Sequence, residues 1–208
     1  MTELESLKLL SGPVATLFDD ISNLEKTARS LDKLIVARMN ELNQSPKPVL
    51  YSGFELGPKS LKELEGVKPE LVQCVKQAIT ISAVDFTVYD GLRTKTEQAA
   101  HVKNGTSQTM DSKHLPQSDG YGWAVDLVPW IGGIPKWDWT GCYAIAMAMD
   151  TAATQLGCAK NIRWGAAWDR TLADYGGDVN EYLEATKDYA ARHPGKDFLD
   201  GPHFEWKA

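Results

Sequence analysis

A polar break containing two prolines divides this chain into two parts with different patterns. The break is the segment Asn-Gln-Ser-Pro-Lys-Pro at residues 43–48, which has the composition of a linker. Before it, apolar residues recur every three or four positions from Val14 to Leu42, and charged residues take the other face. We therefore predict a helical segment over residues 1–46 and a separate main domain over residues 47–208.

Two arrangements of the N-terminal helix are consistent with its pattern. The helix can pack against the main domain or fold back on residues 4–10, as most amphipathic helices pack within their own chain. It can also form a short coiled coil that makes a homo-oligomer or binds a partner. Arg38 interrupts the apolar seam, so both arrangements stay open.

The main domain alternates short helical patterns with short strand patterns. Helical spacing occurs at residues 60–65, 69–80, 94–102, 143–156 and 179–191, and strand patterns occur at residues 83–89, 124–129, 162–164 and 203–206. Helices beside a small sheet define the α+β class, which we predict for this domain.

Composition excludes several classes of protein. The formal net charge is −6, whereas a protein that coats nucleic acid needs a basic surface, so we expect no nucleic-acid partner. The first residues lack the basic and apolar regions of a secretory signal. Apolar runs are shorter than the roughly 20 residues that span a bilayer, so we expect no membrane insertion and a cytoplasmic location.

The three cysteines do not form a recognisable framework. Cys74, Cys142 and Cys158 are odd in number, lie far apart and include no CxxC pair. We predict buried free thiols rather than disulfides or a cysteine zinc site.

Two histidines and one carboxylate form a candidate metal site. A catalytic zinc ion keeps three protein ligands and an open position for water, whose pKa it lowers to about 7. His114, Asp126 and His203 can supply two imidazoles and a carboxylate. On the residues alone, a metal site and a structural role are equally open. We expect the other two histidines, His101 and His193, at the surface.

Two further residues can complete a hydrolase site. Asp200, three residues before His203, can take the proton of an attacking water and return it to the departing amine. Arg93 follows the predicted strand at residues 83–89 and can stabilise an oxyanion or hold a substrate carboxylate. A surface salt bridge is the alternative for this arginine.

The tryptophans and one acidic segment have ordinary structural explanations. We predict that most of the seven tryptophans lie in the core, although a sugar-stacking platform is the alternative. The acidic residues between Asp169 and Glu184 lack the spacing of an EF-hand loop, so we predict a solvated loop.

Six ordered motifs between Phe54 and Trp206 resemble those of zinc peptidases of the D-alanyl-D-alanine carboxypeptidase type. Within that group the chain is most similar to bacteriophage endolysins that act as L-alanyl-D-glutamate peptidases. The motifs are Gly91-Leu92-Arg93-Thr94 with Glu97-Gln98, Ser112-x-His114, Gly122-x-Ala124-x-Asp126-Leu127-Val128-Pro129, Trp137-Asp138-Trp139, Arg163-Trp164-Gly165 with Trp168-Asp169, and Asp200-x-x-His203-x-Glu205.

The resemblance implies the Hedgehog/DD-peptidase fold, in which helices flank a small antiparallel sheet with zinc at its centre. It implies zinc ligation by His114, Asp126 and His203. It also implies that Asp200 is the catalytic base and that Arg93 anchors the substrate.

A serine precedes His114 in the sequence, and an inserted segment follows it. The resemblance implies that Ser112 shapes the site or donates a hydrogen bond there, and an ordinary turn residue is the alternative. Residues 115–121 separate His114 from Gly122, where the family pattern has only two residues. We expect this insert to loop outward and form part of the substrate rim.

The function implied by the resemblance is that of a phage endolysin. Such an enzyme cleaves the L-alanyl-D-glutamate bond in the stem peptides of bacterial peptidoglycan, and it stays in the host cytoplasm until a holin releases it to the periplasm and cell wall. One alternative is a D-Ala-D-Ala carboxypeptidase or dipeptidase. The other is a non-catalytic module of the virion that binds peptidoglycan, although a binder has no need of Asp200 beside the metal.

Overall fold

The computed structural model describes residues 52–193 and 199–207, together with seven helical positions between residues 23 and 34. Those seven positions agree with the predicted N-terminal helix, whose remaining residues lie outside the described part, as does the break at residues 43–48. The chain divides into two compact units, Met1–Val49 and Leu50–Ala208. The boundary between residues 46 and 47 stays a prediction.

Two proline-initiated helices open the larger unit. Helix α1 spans Pro58–Glu63 and helix α2 spans Pro69–Ile81. Proline is suited to the first turn because its fixed φ is already helical and its missing N–H has no partner there. Helix α2 buries one face of its surface, formed by Leu71, Cys74, Val75, Ala78 and Ile79.

The strands form one antiparallel sheet in the order β1-β2-β5-β4, with β3 paired to the end of β2. The strands are β1 (Phe86–Asp90), β2 (Ala124–Ile131), β3 (Ile134–Pro135), β4 (Ile162–Trp164) and β5 (His203–Trp206). Strands β2 and β3 are joined at Gly132 and Gly133, whose φ angles of 63° and 86° suit a tight hairpin turn. The prediction of an α+β domain with a small antiparallel sheet is confirmed.

Three further helices complete this unit. They are α3 (Lys95–Lys103), α4 (Trp139–Gln155) and α5 (Val179–Arg192), with short 3₁₀ turns at Ala159–Asn161 and Leu172–Asp174. Helix α3 begins at a capping box, in which the Thr94 and Glu97 side chains each accept the other's backbone N–H. Helix α4 begins four residues before the predicted Tyr143 because Asp138 caps it by accepting from the N–H of Gly141.

The hydrophobic core lies between α2, α4 and the sheet. The small side chains of α4 pack against α2, and the fully buried Ile145 and Met149 fill the space between them. All three cysteines are free and buried, as predicted. No helix within the described ranges is both long enough and apolar enough to cross a membrane.

The prediction that most tryptophans lie in the core is wrong. Of the seven, only Trp164 is fully buried. Trp130, Trp137 and Trp139 are exposed by 42%, 58% and 43%. Trp130 lies near the end of β2, and Trp137 and Trp139 lie just before and at the start of α4, where they line a cleft.

Candidate active site

Strand pairing places the predicted site residues together. Asp126 on β2 lies opposite His203 on β5 and opposite Asp90 at the end of β1. His114 comes from the loop before β2 and is almost completely buried. Its ring Nδ1 lies 2.6 Å from the carbonyl oxygen of Gly91, which fixes the ring beside the two strands.

Three donor atoms form a small triangle. His114 Nε2 lies 3.3 Å from Asp126 Oδ1 and 3.3 Å from His203 Nδ1, and the latter two atoms lie 3.0 Å apart. Zinc bonds of about 2.0–2.1 Å at a tetrahedral angle place neighbouring ligand atoms about 3.3 Å apart. The triangle therefore fits three ligands of one tetrahedral ion and leaves a fourth position open.

The outer nitrogens of both imidazoles are held by acceptors. A carbonyl oxygen can only accept, so His114 Nδ1 carries the proton towards Gly91 and Nε2 presents a lone pair to the triangle. His203 Nε2 lies 3.1 Å from Glu205 Oε2, and Arg163 donates from both Nε and Nη2 to the same carboxylate at 2.7 Å. Such outer partners orient metal-binding histidines and set their tautomer.

The electrostatics of the triangle favour a cation. Burial opposes ionisation of Asp126, but His114 and His203 hold its pKa well below the ordinary value. Burial lowers the pKa of His203, and the carboxylates of Asp126 and Glu205 outweigh that effect and raise it to about 10. The same negative charge attracts a metal ion to the donor atoms.

Asp200 lies beside the triangle without belonging to it. Burial and the charge of Asp126 raise the pKa of Asp200 to about 6. Its backbone donates to the Gly165 carbonyl at 3.0 Å and accepts from the N–H of His203 at 3.1 Å. A Cβ at Gly165 would lie 2.5 Å from the Asp200 carbonyl oxygen, so glycine is needed for this close approach. A carboxyl group with a raised pKa next to a cation site is suited to proton transfer.

Arg93 is a buried organising residue, so the alternative of a surface salt bridge is wrong. Its side chain is only 9% exposed and donates to Asp90 at 2.7 Å, Gln98 at 3.2 Å and Asp126 at 2.8 Å. Arg93 thus holds Oδ2 of Asp126, which is the carboxylate oxygen outside the donor triangle. Gln98 is fully buried. The sequence did not identify it as a site residue, because its role depends on its contact with Arg93 in the folded chain.

Ser112 supports the backbone of His114. Its Oγ accepts from the His114 N–H at 3.2 Å, which is a local turn contact. The residue also lines a cavity beside the site. His101 lies at the surface with 32% of its side chain exposed, 3.5 Å from Asp90, and His193 is exposed, as predicted for both.

Two cavities meet at the candidate site, and both are lined by Arg93, Asp126 and Asp200. The first has a volume of about 520 Å³ and the second about 410 Å³. Residues 115–121 are not among the residues that line these two cavities, but Gln117 of this insert donates to the Ser112 carbonyl at 3.2 Å and accepts from Lys113 at 3.4 Å, and both of these residues line the second cavity. Asp119 of the insert accepts from Lys68 and from the Trp123 indole. That the insert forms part of the substrate rim stays a prediction.

A small antiparallel sheet thus carries a His–Asp–His donor triangle, an adjacent carboxyl group and an open cleft, which together define a candidate metal-dependent hydrolase. The chain belongs to the phage L-alanyl-D-glutamate peptidase family, whose sequence model matches residues 52–206. The resemblance inferred from the motifs is confirmed.

Individual relatives agree with this membership. The chain is 35% identical over 130 residues to the L-alanyl-D-glutamate peptidase of Escherichia phage T5. The aligned region covers 61% of this chain and 89% of the relative. The crystal structure of the Serratia marcescens L-Ala D-Glu endopeptidase ChiX is similar with a TM-score of 0.52. That match has 31% sequence identity and covers 72% of this chain and 87% of ChiX.

Proposed function

We propose that this protein is a zinc-dependent peptidase that cleaves the L-alanyl-D-glutamate bond of peptidoglycan stem peptides during lysis of a phage-infected host. The observation that carries the proposal is the donor triangle of His114, Asp126 and His203 with Asp200 beside it. The specificity follows the names of the phage T5 and Serratia relatives. We assign the sheet and its helices to the Hedgehog/DD-peptidase fold.

The residues of the site divide the chemistry between them. His114, Asp126 and His203 would hold a zinc ion, which when bound would lower the pKa of a water molecule and act as a Lewis acid toward the scissile carbonyl. The Asp200 carboxylate accepts the proton of the attacking water and returns it to the nitrogen of D-glutamate as the peptide bond breaks. Arg93 keeps Asp126 in position through its 2.8 Å contact and faces both cavities, where it anchors the substrate.

The shape of the cleft favours an endopeptidase over the D-Ala-D-Ala carboxypeptidase or dipeptidase alternative. An exopeptidase needs a closed end that recognises a free terminal carboxylate. Here cavities of about 520 and 410 Å³ share Arg93, Thr106, Asp126 and Asp200 in their linings. A substrate can therefore continue beyond the scissile bond in both directions.

The raised pKa of Asp200 argues against the non-catalytic binding module. A carboxyl group that is partly buried beside Asp126 costs folding free energy, and binding of peptidoglycan alone does not require one at this place.

As implied by the endolysin resemblance, we propose that the protein accumulates in the host cytoplasm and reaches the wall through a holin. Its N-terminal helix stays a candidate for oligomer formation.

A wall-digestion assay tests this function. Purified peptidoglycan loses turbidity with the zinc-loaded protein, keeps its turbidity after chelation, and loses it again when zinc is returned. Asp200→Asn with zinc bound leaves the wall intact. Lysis that survives complete removal of metal, or that proceeds equally with Asp200→Asn, refutes the mechanism.

A further inference from the structure

The first cavity has an aromatic wall that the reaction itself does not use. Tyr89, Trp137 and Trp139 line it and remain 43%, 58% and 43% exposed. The rings of Tyr89 and Trp137 meet edge to face with their centroids 4.7 Å apart. Exposed aromatic groups of this size, gathered at one end of a cleft that contains Asp126 and Asp200, indicate a binding surface.

Regular secondary structure holds two of these rings in place. Tyr89 lies on β1, where the alternation of the strand turns it outward while its neighbour Val88 is fully buried. Trp139 is the first residue of α4, and its ring packs against Tyr143 with centroids 5.8 Å apart. The wall is therefore already formed before a substrate binds, which lowers the entropic cost of binding.

The two cavities differ in charge. Both contain Arg93, Asp126 and Asp200. The first adds the carboxylates of Asp90 and Asp138 and no further lysine or arginine. The second adds Asp111 and Glu205 together with Lys113 and Arg163, and Arg163 is paired with Glu205 at 2.7 Å. The second cavity is thus the less negative of the two, and it is the better suited to an acidic group.

We propose that the aromatic wall binds the N-acetylmuramoyl sugar on the amino side of L-alanine, so that the D-glutamate side lies in the second cavity. The inference rests on the proposed function. The stem peptide begins at the lactyl group of this sugar, and the amide formed there removes the sugar's only carboxylate. The apolar face of the sugar ring packs on an indole, while the free carboxylate of D-glutamate is repelled by Asp90 and Asp138 and attracted by Lys113.

The test compares two substrates that share one L-Ala-D-Glu peptide. One carries N-acetylmuramoyl on the L-alanine nitrogen and the other carries acetyl. We expect the wild type to have the higher kcat/KM on the sugar-bearing substrate. Trp137→Ala reduces the ratio of kcat/KM on the sugar-bearing substrate to kcat/KM on the acetyl substrate by about two- to ten-fold, as expected for loss of one aromatic contact. Trp130→Ala is the matched control because Trp130 is 42% exposed but lines neither cavity. It leaves the ratio unchanged.

A second pair of substrates tests the direction of binding. The wild type prefers D-glutamate over its amidated form, D-isoglutamine, and Lys113→Gln reduces that preference while the sugar preference stays. The proposal is overturned if the wild type shows no sugar preference, if Trp137→Ala lowers both kcat/KM values equally, or if Lys113→Gln removes the sugar preference instead. If the wild type cleaves neither substrate, the proposed function fails rather than the subsite alone.

Discussion

Asp126 and Asp200 are neighbouring carboxyl groups whose pKa values shift in opposite directions. The two histidines hold the pKa of Asp126 well below its ordinary value despite burial, whereas burial and the charge of Asp126 raise that of Asp200 to about 6. Environments that separate two carboxyl groups in this way assign them different tasks. Asp126 is suited to hold a cation, and Asp200 is suited to exchange a proton.

Asp200→Asn separates these two tasks. The variant keeps the donor triangle, so its zinc affinity stays within a few-fold of wild type, whereas kcat falls by about 10²- to 10⁴-fold because the proton acceptor is lost. Titration calorimetry with zinc and a peptide cleavage assay measure the two effects. His114→Ala serves as the contrasting variant because it loses zinc and activity together.

The pH dependence of cleavage reports on Asp200. A general base works only when ionised, so kcat/KM falls as the pH drops through the pKa of this group. Without metal that pKa is about 6, and a bound zinc ion favours the ionised form and moves the acid limb below that value. Rates measured on a soluble peptide from about pH 4 to pH 8 locate the limb. A rate that rises as the pH falls below 6 would make Asp200 an acid rather than a base.

The residue types and order of the motifs predicted that His114, Asp126 and His203 belong to one site with Asp200 and Arg93, and the structure brings these residues together. The roles of the residues stay predictions. The contacts that orient them were not accessible from the sequence, because they depend on pairing between distant segments. Glu205 was noted only as part of a motif, and its link from His203 to Arg163 appears only when β4 lies beside β5. The alternation of β1 predicts which side Tyr89 faces but not which cavity lies there.

At the scale of elements, a close approach between β1 and α1 builds part of the site. A Cβ at Gly91 would lie 1.9 Å from the carbonyl oxygen of Glu63, so the end of β1 packs directly on the α1 backbone. The Gly91 carbonyl also accepts from His114. Packing of these two elements and orientation of the candidate metal ligand His114 therefore depend on the same residue.

Gly91→Ala tests this coupling. Forcing a methyl group into the contact lowers the free energy of unfolding by about 1–3 kcal/mol and weakens zinc binding as the Gly91 carbonyl moves. Urea denaturation and zinc titration measure the two changes. Gly57→Ala is the control because nothing lies within 4 Å of the added Cβ, and it leaves zinc binding unchanged. Equal effects of both substitutions on zinc affinity would disprove the coupling.

Hydrophobic periodicity predicted the helices and the four main strands of the sheet, but the observed ends of these elements differ from the predicted ends. Strand β1 begins at Phe86 rather than residue 83, and α4 begins at Trp139 because the Asp138 cap acts before the apolar pattern starts. The two-residue strand β3 was missed, since so short a segment has no period of its own. The contacts that Asp119 of the insert makes with Lys68 and Trp123 were not accessible from the sequence, because they depend on tertiary packing.

For the molecule as a whole, zinc binding should be coupled to folding. The donor triangle joins β2, β5 and the His114 loop, so the intact site exists only in the folded chain. At a free zinc concentration of 100 times Kd, binding adds about 2.7 kcal/mol of stability. The Tm therefore rises with zinc and falls with a chelator, as measured by differential scanning calorimetry. Magnesium, which prefers oxygen ligands, leaves the Tm unchanged, and His203→Ala removes the response to zinc.

The α+β class followed from alternating short patterns, and the larger unit Leu50–Ala208 contains every element of the sheet. Exposure of the tryptophans was the main error at this scale. Aromatic residues fill cores and line clefts alike, and only the three-dimensional position of Trp137 and Trp139 beside Asp126 and Asp200 distinguishes the two uses.

The bond that the enzyme cuts is identified by the new amino termini in peptidoglycan digested by the zinc-loaded protein. Mass spectrometry of the products, after labelling of free amines, locates the bond that was cut. We expect D-glutamate at the new amino termini, L-alanine left on the glycan, and no such products with Asp200→Asn. Release of free D-alanine, or an intact L-alanyl-D-glutamate bond with zinc bound, would contradict this expectation.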